Sequence, residues 1–241
     1  EPKIQFDYDS TYNIVFTGIG GTGIVTMGTI LASAAKTEQK YVGIMEMAGL
    51  AQKGGEVHVH CKISNSSNEI NSIRVDSGQA NVVIGGDLVV TAAEKTLSLS
   101  NRFKTALICN SNELITGDFT RNPQLQIKSS NMKLSLISNF KKKSTWFINS
   151  TEIAKSNLDN TIYSNLVLLG YAFQAGLIPL KLQSIFSAIK INSKKYMMNL
   201  NAFNLGRKCY IDNLNKNIST SDVRTEEQKF QNADTFQFRK S

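Results

Sequence analysis

The sequence predicts an α/β fold, with a mostly parallel sheet, helices on both faces and a helical C-terminal part. Up to about residue 160, short apolar runs typical of strands alternate with segments of helical spacing, and this alternation favours parallel strands joined by helices. From residue 160 onward the patterns are helical. The 241 residues, 41% of them hydrophobic, suffice for one full domain core.

The opening of the chain predicts a strand, a glycine-rich turn and a helix. An apolar strand at residues 14–16 leads into residues 18–23, the glycine turn, and then into a helix over residues 24–36. The helix has one apolar stripe, formed by Met27, Ile30, Leu31, Ala34 and Ala35. The spacing Gly18-x-Gly20-x-x-Gly23 in this context is the dinucleotide-binding fingerprint, so we predict a Rossmann-like fold.

The glycine turn is open to three interpretations. In a free-standing NAD(P)-binding oxidoreductase, Gly18, Gly20 and Gly23 would approach the pyrophosphate, and Glu46, at the end of a second strand, would hold a ribose hydroxyl. Alternatively, Gly18, Gly20, Gly21, Thr22 and Gly23 form an anion-binding pocket, because a helix N-terminus offers free N–H groups to a phosphate. The third interpretation is a tight strand-to-helix turn and nothing more.

The next segments continue the α/β pattern. Residues 57–63 alternate in polarity, which predicts a strand covered on one face, with His58 and His60 together on the other. Two such histidines could bind a metal, but no third ligand is nearby, and we interpret them as polar strand-face residues. Further strands are predicted at residues 81–85, 106–109 and 147–148, with a helix over 87–97. Helices follow from residue 160 to Gly176, after Pro179, and over 194–211.

Composition excludes several classes of protein. The three cysteines, Cys61, Cys109 and Cys209, form no Cys-x-x-Cys pair, which argues against an iron–sulfur cluster or four-ligand zinc site within this chain. No apolar run is long enough to span a membrane, and the first residues do not resemble a signal peptide, so we predict a cytoplasmic protein.

The net charge of +8 is concentrated in one segment. Residues 119–151 contain six basic residues and no acidic one. This segment is either a solvated basic surface or a docking site for an acidic partner or a phosphate-bearing ligand. Nucleic-acid binding is not expected, because no aromatic residues interleave with the lysines.

A second glycine-rich loop carries the functional argument. Residues 49–55, Gly49-Leu50-Ala51-Gln52-Lys53-Gly54-Gly55, form what we call the glycine-flanked arm, which carries a single cation. A nucleotide site does not need such a segment. We interpret it as an arm that reaches another surface, the alternative being a long surface loop.

Four long motifs follow one another along residues 12–212, after a polar lead-in at 1–11 and before a polar tail or linker at 213–241. The motifs are Thr17-Gly18-Ile19-Gly20-Gly21-Thr22-Gly23-Ile24-Val25-Thr26, Gly49-Leu50-Ala51-Gln52-Lys53-Gly54-Gly55, Thr116-Gly117-Asp118-Phe119-Thr120-Arg121-Asn122-Pro123 and Asn201-Ala202-Phe203-Asn204-Leu205-Gly206-Arg207. In these motifs and their order, residues 12–212 resemble the gamma region of the 2-oxoacid:ferredoxin oxidoreductases, most closely that of bacterial fused indolepyruvate ferredoxin oxidoreductases.

The resemblance implies a component of an enzyme that oxidatively decarboxylates aryl-2-oxoacids to acyl-CoA and passes electrons to ferredoxin. Thiamine diphosphate, its magnesium and the iron–sulfur clusters would lie in partner domains of an oligomer. This chain would carry no catalytic residue and no metal, and would be inactive in isolation. Gln52, Lys53, Gly54 and Gly55 would approach the partner-held active site, and the glycine turn would be either an anion pocket for part of CoA or simply a tight turn. Because the fused enzymes are much longer, we expect an excised segment or a separate subunit.

Overall fold

The computed structural model describes residues 2, 11–49, 55–112 and 123–215, with side chains omitted for 123–128. Six strands form one sheet. They are β1 (Tyr12–Ile19), β2 (Tyr41–Ala48), β3 (Glu56–Ser64), β4 (Val82–Gly85), β5 (Ala106–Asn110) and β6 (Thr145–Ile148). The helices are α1 (Ile24–Thr37), α2 (Leu88–Thr91), α3 (Glu94–Leu97), α4 (Pro123–Asn139), α5 (Ser150–Leu158), α6 (Ser164–Gln174), α7 (Leu182–Asn192) and α8 (196–215).

The sheet has the order β2-β3-β1-β4-β5-β6. β4, β5 and β6 continue parallel to β1, whereas β3 pairs antiparallel with both β1 and β2. β2 therefore runs in the same direction as β1 but is separated from it by β3. This confirms the prediction of a mostly parallel sheet, with one antiparallel strand inserted beside β1.

Alternate residues of β1, β4, β5 and β6 feed two cores, one on each face of the sheet. Ile14 and Phe16 belong to the larger core, which contains side chains of α1, α6, α7 and α8. Val15 belongs to the smaller core, which includes Leu136 of α4 and Phe140 just after it. The predicted covering of both faces by helices is thereby confirmed. Within the described residues, no helix is both long and apolar enough to cross a membrane.

Two local predictions were wrong. The helix expected over residues 87–97 is two single turns, α2 and α3, because Ala93 between them is extended. Side-chain hydroxyls also compete for backbone carbonyls there: Thr91 Oγ1 donates to Asp87 O at 2.5 Å and Thr96 Oγ1 to Val90 O at 2.9 Å. β3 is buried on both faces and not on one, because α3 and the loop before β4 cover its second face.

Helix α4 was not predicted. Its sequence is rich in serine, asparagine and glutamine and has a weak apolar pattern, so charge was its only visible feature. Met132, Leu136 and Phe140 recur every four residues and pack on the smaller core. α8 extends beyond the predicted end at residue 211, to at least residue 215.

Candidate functional site

The two glycine-rich loops, which begin 31 residues apart at Gly18 and Gly49, meet at one edge of the sheet. β2 and β3 form a hairpin, and Gly49 N donates to Glu56 O at 2.9 Å at its end. Gly20 N donates to Gly55 O at 2.8 Å, so the glycine turn supports the last residue of the glycine-flanked arm. Gly55 therefore lies where β1 gives way to α1, and Gly49 lies at the end of β2, with β3 between it and β1.

Part of the arm lies outside the described residues. Of the four residues expected to approach the active site, Gln52, Lys53 and Gly54 are in residues 50–54, which the structure does not describe. Gly55 is described and contacts the glycine turn. The motif at residues 116–123 lies outside the described part too, except for Pro123, the first residue of α4.

The glycine turn has a backbone that explains its composition. Gly21 and Gly23 have φ angles of 85° and 92°, a left-handed conformation that strains other residues. Gly18 lies near the end of β1 and pairs with Val57 of β3. Thr22 closes the turn by donating from Oγ1 to Ile19 O at 2.7 Å. Gly23 caps α1 and has no side chain that could accept from the first N–H groups of that helix.

A cavity of about 570 Å³ opens beside this turn, at the carboxyl ends of β1, β4 and β5. Ligands of open α/β sheets bind at this edge. The lining comes from the glycine turn, the loop after β4, the end of β5 and the first turns of α5 and α6. These residues include Gly21, Thr22, Gly86, Asp87, Asn110, Thr151, Ser164 and Asn165, with Ile19, Leu88, Val89, Met132 and Ile162 as apolar members.

Two buried asparagines hold these loops together. Asn165 of α6 is 2% exposed, and its Nδ2 donates to Thr22 O in the glycine turn at 2.6 Å. Asn110, the last residue of β5, donates from Nδ2 to Thr151 Oγ1 at 2.8 Å and accepts from Ser150 N through Oδ1 at 3.1 Å. The position of the cavity wall therefore depends on two amide side chains.

Gly86 in the cavity wall has no room for a side chain. A Cβ atom at this position would lie 2.7 Å from Ile24 Cδ1 and 2.8 Å from Asn165 Oδ1. Its N–H donates to Thr17 O at 2.7 Å, which joins the ends of β1 and β4. A side chain here would push apart the glycine turn, α6 and β4.

The charges at the cavity are those of helix N-termini and one carboxylate. No lysine, arginine or histidine is among its described lining residues. Three helices, α1, α5 and α6, begin at its wall, and each N-terminus carries a partial positive charge. Asp87 is the one acidic residue of the described lining, and its Oδ1 accepts from Val90 N at 2.9 Å and caps α2.

The structure brings the two glycine loops together but leaves Glu46 apart from them. Glu46 is exposed on β2 and pairs with Val59 of β3. In a dinucleotide-binding fold the acidic strand is adjacent to β1. Here β3 occupies that place and moves β2 outward by a strand spacing of about 5 Å. The ribose interaction assigned to Glu46 in the NAD(P) interpretation therefore lacks its usual geometry.

His58 and His60 lie away from the cavity and are buried, at 0% and 1% exposed. His58 Nε2 is 3.0 Å from Thr96 Oγ1, and His60 Nδ1 accepts from Val75 N at 2.9 Å. Burial, followed by the nearby His58 and other cationic groups, lowers the pKa of His60 to about 4, and burial lowers the pKa of His58 too. They are neutral core residues, not the solvent-facing polar ones expected.

The buried environment of Cys61 on β3 and Cys109 on β5 makes their thiols unreactive. Burial raises the pKa of both Cys61 and Cys109 to about 12, so each is a neutral thiol at physiological pH. Among the described residues there is no group of three or more His, Cys, Asp or Glu side chains that could bind a metal ion.

Sequence reasoning missed Asn110, Thr151 and Asn165 as cavity residues. One signal was available for Asn110, a polar residue directly after an apolar parallel strand, where α/β ligand sites occur. Asn165 and Thr151 carried no such signal, because only the packing of α6 and α5 brings them to the cavity. Asn149 caps α5, which leaves Thr151 Oγ1 to accept a hydrogen bond from Asn110 Nδ2.

Known proteins resemble this chain over most of its length. The indolepyruvate oxidoreductase subunit IorB of Archaeoglobus fulgidus is 28% identical over 202 residues, which is 80% of this chain and 92% of that protein. The subunit of the same name from Pyrococcus horikoshii is 25% identical over 206 residues, 85% of this chain and 98% of that protein.

Solved structures share the fold. The gamma subunit of a keto/oxoacid ferredoxin oxidoreductase from Geobacter sulfurreducens superposes with a TM-score of 0.59 at 20% identity, covering 83% of this chain and 99% of that one. A 2-oxoglutarate:ferredoxin oxidoreductase from Magnetococcus marinus gives 0.59 at 15% identity, covering 84% of this chain and 31% of that one.

The sequence also matches a known protein family over most of its length. Residues 13–209 match the family described as pyruvate ferredoxin/flavodoxin oxidoreductase. This range includes the four motifs on which the resemblance rested, and the fold is that of a solved gamma subunit. The resemblance is confirmed, and the chain belongs to the pyruvate ferredoxin/flavodoxin oxidoreductase family.

Proposed function

We propose that this chain is the gamma component of a thiamine-dependent, indolepyruvate-type ferredoxin oxidoreductase. The enzyme oxidatively decarboxylates aryl-2-oxoacids to acyl-CoA, with ferredoxin as electron acceptor. Thiamine diphosphate, magnesium and the iron–sulfur clusters belong to partner domains or subunits. The observation that carries the proposal is the family match over residues 13–209, and the relatives named indolepyruvate oxidoreductase subunit support the aryl substrate class.

In this proposal the glycine-flanked arm reaches toward the active site that the partners hold. Its two described ends support this, because Gly55 contacts the glycine turn at the carboxyl end of β1, and Gly49 follows the carboxyl end of β2, which runs in the same direction as β1. A partner that packs on this edge covers cavity and arm together. Lys53 then offers a cation to a carboxylate or phosphate of the substrate or cofactor.

The cavity beside the glycine turn binds the anionic part of a ligand, and CoA is the one that the reaction provides. The helix N-termini of α1, α5 and α6 support this, as does the uncapped start of α1. The oxidoreductase from Magnetococcus marinus has coenzyme A bound. Backbone conformation alone also explains Gly21 and Gly23. A measurement of CoA binding therefore decides between an anion-binding turn and a tight turn without a ligand.

The first experiment replaces Lys53 by Ala in the complex reconstituted with its partner subunits. Loss of a hydrogen bond to a charged group is worth about 1.5–3 kcal/mol, which corresponds to a fall in kcat/KM of about 10- to 100-fold. Lys53→Arg should retain most activity because it keeps the cation. Lys155→Ala, at an exposed position on α5, is the control for removal of a surface charge. Unchanged turnover of Lys53→Ala in a normally assembled complex would leave the arm without a role in catalysis.

A second experiment separates this function from nicotinamide binding. Calorimetry of the purified chain with NAD, NADP, FAD and CoA should give saturable heat for CoA and none for the nicotinamides. No heat with CoA would favour the tight-turn interpretation of the glycine turn. Saturable NAD binding that disappears in Glu46→Ala would overturn the gamma assignment in favour of a Rossmann oxidoreductase. Comparison of indolepyruvate, pyruvate and 2-oxoglutarate in the complete complex tests the substrate class, with the highest kcat/KM expected for indolepyruvate.

A further inference from the structure

A second surface of the chain combines positive charge with an exposed aromatic ring, and the proposed function does not use it. It is formed by the turn before β5 and the segment before β6, which meet because Lys141 N donates to Thr105 O at 2.9 Å. We call it the basic aromatic patch and define it as Arg102, Phe103, Lys104, Lys141, Lys142 and Lys143, all of which are exposed.

Phe103 is the apolar centre of the patch. Its side chain is 76% exposed, the highest value among the exposed large hydrophobic side chains of the described residues. The turn that carries it is ordered by Asn101, whose Oδ1 accepts from Phe103 N at 3.0 Å and whose carbonyl accepts from Lys104 N at 3.1 Å. The guanidinium carbon of Arg102 is 5.1 Å from the ring centroid. A fixed turn thus presents an aromatic ring to solvent, as at the centre of a binding surface.

The positive charge of the patch has no compensating carboxylate among the described residues. The ion pairs found there are Lys40 with Glu38 and Lys95 with Glu56, on other elements. Lys104 Nζ donates to the neutral Gln79 Oε1 at 2.9 Å. The sequence places no further carboxylate close to Lys141, Lys142 and Lys143, since residues 119–151 contain no Asp or Glu. Such a field attracts an acidic partner and raises its association rate.

We propose that the basic aromatic patch binds an acidic surface of another protein, which surrounds the ring of Phe103 with apolar contacts and the lysines with carboxylates. A second copy of this chain does not fit, because two-fold pairing of the patch would oppose like charges. Single-stranded nucleic acid does not fit either, because proteins that bind it stack successive bases on several aromatic side chains and the patch has one. The proposal does not depend on the oxidoreductase assignment.

The patch and the cavity lie at opposite edges of the sheet. Phe103 and Lys141 precede β5 and β6, whereas the cavity lies at the carboxyl ends of β1, β4 and β5. The five residues of β5 span about 17 Å between the two edges. A protein bound to the patch therefore leaves the cavity open to ligand and to a different partner.

Fluorescence anisotropy of labelled probes with the full chain tests the proposal. The probes are a glutamate-rich peptide that carries leucines, the same peptide with alanine for leucine, a single-stranded oligothymidine, and vesicles containing phosphatidylserine. We expect the leucine-containing acidic peptide to bind most tightly at low salt. Its affinity should fall about tenfold in Phe103→Ala and at least tenfold when Lys141, Lys142 and Lys143 are all replaced by Gln.

The controls distinguish binding that depends on the ring of Phe103 and on these particular lysines from general attraction between opposite charges. Phe103→Ala should not change the affinity of the alanine peptide, because that peptide has no apolar group for the ring to contact. Replacing Lys155, Lys194 and Lys208 by Gln removes the same charge from exposed positions elsewhere and should weaken binding less than threefold. The proposal is overturned if oligothymidine or vesicles bind more tightly than the peptide, if the two lysine triples behave alike, or if no probe binds at low salt.

Discussion

Protonation of one buried histidine should control the acid stability of this chain. His60 is 1% exposed on β3, and its Nδ1 accepts the N–H of Val75. We propose His60→Asn as the perturbation, because an asparagine Oδ1 can take over this acceptor role while the titrating ring is removed. The variant should therefore keep the hydrogen bond and lose the pH dependence.

The sign and size of the effect follow from the two pKa values of His60. Burial lowers its pKa to about 4 in the folded chain, against 6.5 when unfolded. Above pH 6.5 the ring is neutral in both states and contributes nothing. As the pH falls from 6.5 to about 4, the unfolded chain takes up a proton that the folded chain does not, so stability decreases. At about 1.4 kcal/mol per pH unit, the loss reaches about 3 kcal/mol near pH 4 and does not grow below it.

Urea unfolding at a series of pH values from about 7.5 to 4 measures this loss. Carboxylates contribute to both curves, so the quantity of interest is the difference between wild type and His60→Asn. His58→Gln should remove a further part of the pH dependence, since burial lowers the pKa of His58 as well. Stability curves of wild type and His60→Asn that decline in parallel over this range would refute the argument that burial keeps His60 neutral.

Three further predictions concern packing and the cavity. Gly206→Ala should destabilise the chain by about 3 kcal/mol or more in urea unfolding, because its Cβ would lie 1.9 Å from Val167 O and force α8 away from α6. Asn165→Ala should raise the KM for CoA in the complete complex more than it lowers kcat, because Thr22 O loses the amide that holds the glycine turn. An unchanged KM would show that the cavity does not bind CoA. Asn149→Ala should cost about 1 kcal/mol of stability through loss of the α5 cap, and an effect near zero would show that the cap is redundant.

Much of the fold could be predicted because local patterns reflect local structure. β1 and α1 follow from a short apolar strand, a glycine turn and an amphipathic stripe, and Gly176 ends the segment after α6 with a φ of 76°, as expected for a helix terminator. The errors occur where tertiary contacts outweigh local signals. Among the described side chains, Met132 and Leu136 of α4 and Phe140 after it pack against a core built by distant strands. The second face of β3 is covered by α3 and the loop before β4.

The sequence by itself determined the fold class and the family, because glycine spacing, apolar periodicity and long motifs are properties of consecutive residues. It also identified the glycine-flanked arm, although Gln52, Lys53 and Gly54 lie outside the described residues. Only the tertiary structure decided that β3 separates Glu46 from the glycine turn, that Gly20 supports Gly55, and that Asn110 and Asn165 form one cavity wall. Strand order and helix docking bring together residues 143 positions apart, as in the bond from Asn165 to Thr22, and no local pattern encodes such pairs.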